Sequence, residues 1–246
     1  SNKFSGSVST DQFSIKLTTL CLDACQMSGS IDLNQLPKGF VSLRVAENQL
    51  SGQIDLQKLP PALIELSLSK NKLSGTLCLR YLPDLLECLR LDGNFFSGSV
   101  DLTRLPNRLS ELDLGCNRLS GSVHLNRLPN VMKELYIQEN SFSGSFIMHS
   151  LPPRIEYIYA FENDFQDTAK IGLLPESLIC IDIRNGAMKG AFNMSMNAID
   201  DARVLVTGVF GDSDDSECEE SLDQSDSLSS DSTFDSSDAF SSDDEG

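Results

Sequence analysis

The sequence has no tryptophan, only two histidines, and no apolar run approaching the roughly 18 residues that a membrane-spanning helix requires. Its seven cysteines form no short-spaced cluster. Six of them, Cys21, Cys25, Cys78, Cys88, Cys116 and Cys180, are scattered along the first 210 residues. An odd total without a disulfide framework favours free thiols and a reducing compartment, so an intracellular location is slightly favoured over a secreted one. The opening Ser1-Asn2-Lys3-Phe4 does not read as a signal peptide. Lysine and arginine are missing altogether from residues 211–246, which hold fourteen Asp or Glu and twelve Ser. Setting those charges aside reduces the formal −17 to about −3 for residues 1–210. The body is thus nearly neutral and offers no basic face for nucleic acid.

What the sequence does have is a period. Starting at Leu20, an apolar residue recurs every 23 positions at Leu43, Leu66, Leu89, Leu112, Leu135, Ile158 and Ile181. A second apolar column runs two residues later through Leu22, Val45, Leu68, Leu91, Leu114, Ile137 and Ile183. Asparagine recurs at 48, 71, 94, 117, 140 and 163, Ser-Gly follows each unit from Ser28-Gly29 to Ser143-Gly144, and Leu-Pro closes seven units from Leu36-Pro37 to Leu174-Pro175. Chance does not hold five columns in register over so many units without an insertion. Counting back places Asn2, Phe4 and Gly6 in the middle of a repeat, and counting forward predicts a last strand at Val204 and Val206. The chain therefore reads as about nine units over residues 1–210, begun in mid-repeat, and as a piece of a longer solenoid.

Each column has a physical task. Leu43-Arg44-Val45 alternates inward and outward, the period of a half-buried strand, and one strand per 23 residues builds a parallel sheet. The recurrent Asn is placed to satisfy backbone groups where the chain leaves that strand. Ser-Gly is expected to make a tight bend. The prolines, as at Pro60, predict extended or 3-10 segments on the return side in place of long helices. Regularity decays where Gln166-Asp167 replaces Ser-Gly, Gly186 replaces Asn and Asn197-Ala198 replaces Leu-Pro, as expected of a cap.

The pattern LxxLxLxxNxLSGxIxLxxLP, in Leu63 to Pro83 and Leu109 to Pro129, resembles the leucine-rich repeat family. Its Leu-Ser-Gly-x-Ile element resembles plant receptor ectodomains; the 23-residue length and Leu-Pro ending resemble repeat proteins of kinetoplastid protists. The resemblance implies an α/β-type solenoid: a horseshoe with a parallel concave β-sheet and extended or 3-10 convex segments. It also implies a non-catalytic scaffold that binds a protein on the concave face. The alternative is a fragment of a secreted or cell-surface recognition ectodomain. The resemblance does not name the partner.

Outward strand positions are the ones that the repeat leaves free. One such column reads Arg44, Ser67, Arg90, Asp113, Tyr136, Tyr159 and Asp182, and its neighbour includes Glu65, Cys88, Glu111, Glu134, Tyr157 and Cys180. Three of the four tyrosines, Tyr136, Tyr157 and Tyr159, thereby fall on adjacent strands, with Phe161 at the strand exit. Strands lie about 4.8 Å apart, so these rings are expected to touch. The partner site expected from this is Tyr136, Tyr157, Tyr159, Phe161, Glu134 and Arg90, because Tyr and Arg anchor interfaces. Two other readings stand beside it: a C-terminal cap covers the cluster, or the cluster only steadies the end of the stack. Arg44 and Arg90 are expected to pair with Glu65 or Asp92.

Residues 211–246 cannot bury enough apolar surface to offset ordering and read as a disordered acidic tail. Ser216, Ser232, Ser241 and Ser242 each have an acid three residues on, which resembles substrates of acid-directed kinases. The tail is either a solubilising terminus or a binder of a basic partner. Catalysis has no foothold: His124 continues the column of Asp32, Asp55 and Asp101, and His149 adjoins Leu151-Pro152. Cys21 and Cys25 are not a zinc pair, and Asp92-Gly93-Asn94 is a strand exit and not a calcium loop. No cofactor is expected, no phosphate loop follows a strand, and the glycosylation signal Asn193-Met194-Ser195 has meaning only outside the cell. A monomer is expected.

Overall fold

The computed structural model describes residues 6–184 and 203–205. The acidic segment 211–246, the glycosylation signal at Asn193 and the start of the first repeat lie outside the described residues. Two parallel sheets run side by side along the solenoid. The first has nine strands in sequential order: β1 (Thr19–Cys21), β3 (Ser42–Arg44), β5 (Glu65–Ser67), β7 (Cys88–Arg90), β9 (Glu111–Asp113), β11 (Glu134–Tyr136), β13 (Tyr157–Tyr159), β15 (Cys180–Asp182) and β16 (Val204–Leu205). Leu43 stands opposite Leu66 and Leu89 opposite Leu112, so the register equals the sequence period. The last strand begins at Val204, paired with Ile181, as the count predicts.

The second sheet corrects the expectation of a simple bend at Ser-Gly. Its seven strands are β2 (Ser28–Gly29), β4 (Gln49–Gln53), β6 (Lys72–Thr76), β8 (Phe95–Gly98), β10 (Arg118–Gly121), β12 (Ser141–Ser150) and β14 (Asp164–Leu173). Here Ser51 pairs with Lys72 and Ser74 with Phe95, two residues short of the period. An even offset keeps every side chain on its own face, so Leu50, Leu73, Phe96, Leu119 and Phe142 all stay fully buried. Within β6, glycine takes a φ near +90° at Gly75, where a Cβ would stand 2.8 Å from Gln53 Cγ. Only glycine meets both demands.

On the return side the described residues form 3-10 turns, Thr10–Gln12, Leu33–Gln35, Leu79–Tyr81 and Leu102–Arg104, and no α-helix. Asp32 and Asp101 cap two of these turns by accepting from the backbone N–H groups of Asn34 and Thr103. Where the same column reaches Ile147, the cap is gone, and β12 runs on through it to Ser150. Each Leu-Pro then turns the chain back: the Pro60 carbonyl accepts from Leu63 N–H at 3.0 Å, and Pro83, Pro106 and Pro129 repeat the bond. One continuous core of Leu, Ile, Val and Phe fills the space between the walls.

The Asn column holds these parts together. Asn71 Nδ2 donates to the carbonyls of Val45 (3.0 Å), Leu68 (3.1 Å) and Ser69 (3.1 Å), while its Oδ1 accepts from Leu50 N–H at 2.9 Å. Asn94, Asn117, Asn140 and Asn163 repeat that set. The carbonyl two residues back also accepts a backbone N–H, as Ser69 does from Glu47 at 2.9 Å, while leaving the other buried groups bare would cost about 1–3 kcal/mol each. The residue before each Asn lies in the left-handed region: Glu47, Lys70, Gly93, Cys116, Glu139 and Glu162 have φ between 49° and 61°. Glycine occupies only one of these six positions, which is why the column is hard to see in the sequence.

Candidate functional site on the strand face

The nine-stranded sheet turns one file of Leu and Ile inward and leaves two files outward. Inward packing fixes the backbone, so the outward residues are placed by register alone. Arg44, in β3, donates to Asp23 at 2.7 Å and lies 4.0 Å from Glu65. Arg90, in β7, gives a two-pronged bond to Glu111, with Nη2 to Oε2 at 2.8 Å, and also lies 4.0 Å from Glu65. Ser42 Oγ donates to Glu65 at 2.8 Å. The first half of the face is therefore a run of alternating charges. The expected pairing of Arg44 with Glu65 is present. Arg90 is held mainly by Glu111 and not by Asp92, which takes the hydroxyl of Ser69 instead.

The second half is aromatic. Tyr136 and Tyr159 have ring centroids 5.3 Å apart, Tyr157 and Tyr159 6.2 Å, and Tyr159 and Phe161 6.1 Å. All four rings are half-buried. Tyr136 Oη donates to Glu134 at 3.1 Å. Burial, with the Glu134 charge second, pushes the Tyr136 phenol well above its ordinary range, and burial likewise raises Tyr159. Both remain neutral hydroxyls. At the far edge Arg184 is bonded to Asp182, which is buried. Ser67 is buried as well, so these two outward positions offer no exposed surface.

Between the halves sits Asp113. Burial first, and the neighbouring Asp92 charge second, push its carboxyl up to about 7. Its Oδ1 accepts from Gly115 N–H at 2.9 Å, and among the described residues it has no ion pair. The Gln138 side chain lies over Gly115, where an added Cβ would collide with the Gln138 amide. Gln138 Oε1 is buried and has no hydrogen-bond partner among the described residues.

Two cysteines on the face, Cys88 and Cys180, are not poised for chemistry. Cys88 is pushed up to about 12 by burial and then by Glu111, and Cys180 is raised chiefly by burial. Both stay as thiols, which are poor nucleophiles. Among the described residues no group of three or more His, Cys, Asp and Glu side chains could hold a metal ion, and no helix is long and apolar enough to cross a membrane. His124 lines an open groove on the opposite wall with Cys78, Arg80 and Asp101. The Asp101 carboxylate is occupied there by Thr103, 2.9 Å from its N–H and 2.6 Å from its hydroxyl.

No family model matches the chain, and no curated protein matches it. Solved structures do resemble it. The PEPR1–AtPEP1 crystal structure is 23% identical with a TM-score of 0.60, covering 78% of this chain and 28% of that one. The plant peptide hormone receptor RGFR1 in complex with RGF2 is 22% identical with a TM-score of 0.53, covering 78% of this chain and 38% of that one. This chain thus spans well under half the length of either, and the likeness is one of fold. Sheet order, period and asparagine ladder agree with it. The fold is a leucine-rich repeat solenoid.

Within that solenoid Tyr136, Tyr157, Tyr159 and Phe161 come together as their columns predict, with Glu134 bonded to the first of them. Arg90 stands two strands away from Tyr136, engaged by Glu111. Column reading passed over Asp113, Gln138 and Gly115. The signal was present: position 115 is the one glycine in the column Asp23, Ala46, Ser69, Asp92, Gly115, Gln138, Phe161. A missing side chain beside a row of larger ones marks a notch.

Proposed function

We propose that this leucine-rich repeat solenoid is a non-catalytic scaffold that binds a protein partner on its strand face, around Tyr136, Tyr157, Tyr159, Phe161 and Glu134. The observation that carries this reading is the half-buried aromatic cluster on a face whose arginines, Arg44 and Arg90, are tied into ion pairs. Aromatic rings already fixed by backbone register lose little freedom on binding, which is the property of interface anchors. Arg90, held by Glu111 and Glu65, marks the boundary of the site. The RGFR1 structure is of a plant peptide hormone receptor in complex with RGF2, and that likeness supports a binding role for this fold. An extracellular recognition ectodomain would use the same face; the two readings differ in compartment and not in site. The segment 211–246 is proposed as a second element, for a basic partner.

The test is affinity capture from the source cell with three baits: the full chain, the full chain with Tyr136, Tyr157 and Tyr159 changed to Ala, and the chain ending at 210. A partner lost only with the tyrosine changes, on bait that still melts cooperatively, supports the strand face. A partner kept by the tyrosine variant and lost on removing 211–246 overturns it in favour of the acidic segment.

A further inference from the structure

Elsewhere on this molecule, exposed aromatic rings carry a cation of their own. The Arg118 guanidinium lies 4.7 Å from the Phe95 ring centroid, and Arg80 lies 5.8 Å from that of Tyr81. Among the described residues no cation sits over Tyr136, Tyr157, Tyr159 or Phe161. The neighbouring cations are engaged: Arg90 with Glu111, Lys133 with Glu156 at 3.2 Å, and Arg184 with Asp182 at 2.7 Å. That leaves Asp113, Glu134, Glu139 and Glu162 around the cluster without a salt bridge among the described residues.

Hydrogen-bond chemistry at the notch points the same way. Asp113 and Gln138 meet at Gly115, one through its bond to the Gly115 N–H and the other by lying over its Cα. Asp113 brings carboxylate acceptors, and Gln138 brings a buried oxygen to which nothing donates among the described residues. Glu134 is bonded to Tyr136 and has acceptor capacity to spare. Burial first and the Asp92 charge second raise the Asp113 pKa; Arg90 stands opposite it in register, but no salt bridge closes between them among the described residues. Acceptors converge here beside ring faces, and the group that satisfies both is a donor-only cation.

Resting on the strand-face reading above, we propose that the partner is a protein segment that places an Arg or Lys side chain on the Tyr136–Tyr159 platform, its charge facing Asp113, Glu134 and the Gln138 amide. Arginine fits better than lysine, since a planar guanidinium stacks on a ring while its edge donates sideways.

The experiment pans a random 12-residue peptide display against the full chain, with counter-selection on the full chain carrying Tyr136→Ala, Tyr157→Ala and Tyr159→Ala. Counter-selection removes peptides held by the acidic segment. If that variant melts without cooperativity, Tyr159→Arg, which puts a cation on the platform itself, takes its place. Surviving peptides are synthesised with a fluorescent label and measured by anisotropy. The expected survivors contain Arg or Lys. Replacing that residue by citrulline or norleucine weakens binding about tenfold or more. Asp113→Asn weakens the cationic peptide similarly and leaves the neutral one unchanged. Survivors that lack a cation, or that are indifferent to both changes, overturn the cationic partner and leave the strand-face reading standing. No survivors at all overturns both.

Discussion

The two halves of the strand face share one interior and differ in everything they show to solvent. From β1 to β9 the outward residues include Arg44 and Arg90 set among Asp23, Glu65 and Glu111; on β11 and β13 they include Tyr136, Tyr157 and Tyr159. Behind both stand the same fully buried Leu or Ile files and the same asparagine bonds. The scaffold therefore does not dictate the surface. A register fixed from inside lets outward positions diverge without structural penalty, and a local change of chemistry on such a face reports on use.

Breaking the shared interior should have the largest effect, and an equal one in both halves. Asn94→Ala and Asn163→Ala each remove a donor to three carbonyls and an acceptor for one N–H. Each is expected to cost about 2–4 kcal/mol in urea unfolding, since the orphaned groups are buried. A large inequality between the two would show that the halves are not built alike.

Next comes the boundary between them. The folded-state carboxyl of Asp113 titrates near 7 against an ordinary value of 3.8. Between those values the folded protein holds more protons than the unfolded chain, so stability falls as pH rises through this window and is level above it. Asp113→Asn keeps the acceptor for Gly115 N–H and removes the charge. Thermal melts should show the variant about 1–2 kcal/mol more stable than the parent at pH 8, with the gain vanishing near pH 4. A gain that is independent of pH would assign the effect to something other than ionisation.

Glu139→Gly probes the aromatic half through its backbone. Glu139 has φ 52°, and burial together with Glu162 raises its carboxyl. Glycine relieves the left-handed strain, so a stabilisation of about 0.5–1 kcal/mol is expected by denaturant titration. The smallest effect belongs to the ionic half. Glu111→Gln should cost no more than about 1 kcal/mol, because Arg90 is 38% exposed in its side chain. The loss should shrink in high salt, whereas the Asn changes should be indifferent to it.

Most of this was legible in the sequence because a solenoid repeats its own argument. Leu43, Leu66, Leu89 and Leu112 each test the same assignment, and the asparagine column identifies its own role by recurring where the strand ends. The tyrosine cluster was legible for the same reason, since a fixed period converts positions 136, 157 and 159 into neighbours. Two things were not. The second sheet escaped because its register is 21 residues and each Ser-Gly lies within a strand, so Ser51-Gly52 reads as a bend until its neighbour is known. Asp113 and Gln138 escaped because their significance lies in what they lack among the described residues, a salt bridge for the one and a donor for the other, and no spacing rule records a missing partner.

The asparagine bonds also have a direction. Each side chain serves its own turn and the repeat before it, through a carbonyl 26 residues back and an N–H 21 residues back, and none reaches forward. A unit thus arrives carrying the clasp for its predecessor. Excising or duplicating one 23-residue block between equivalent positions returns every clasp to a matching hook, so the length of such a chain can change by whole units with no new side chains needed at the splice. The binding face would then be lengthened or shortened like a keyboard, one key at a time, while the tyrosines keep their spacing to one another.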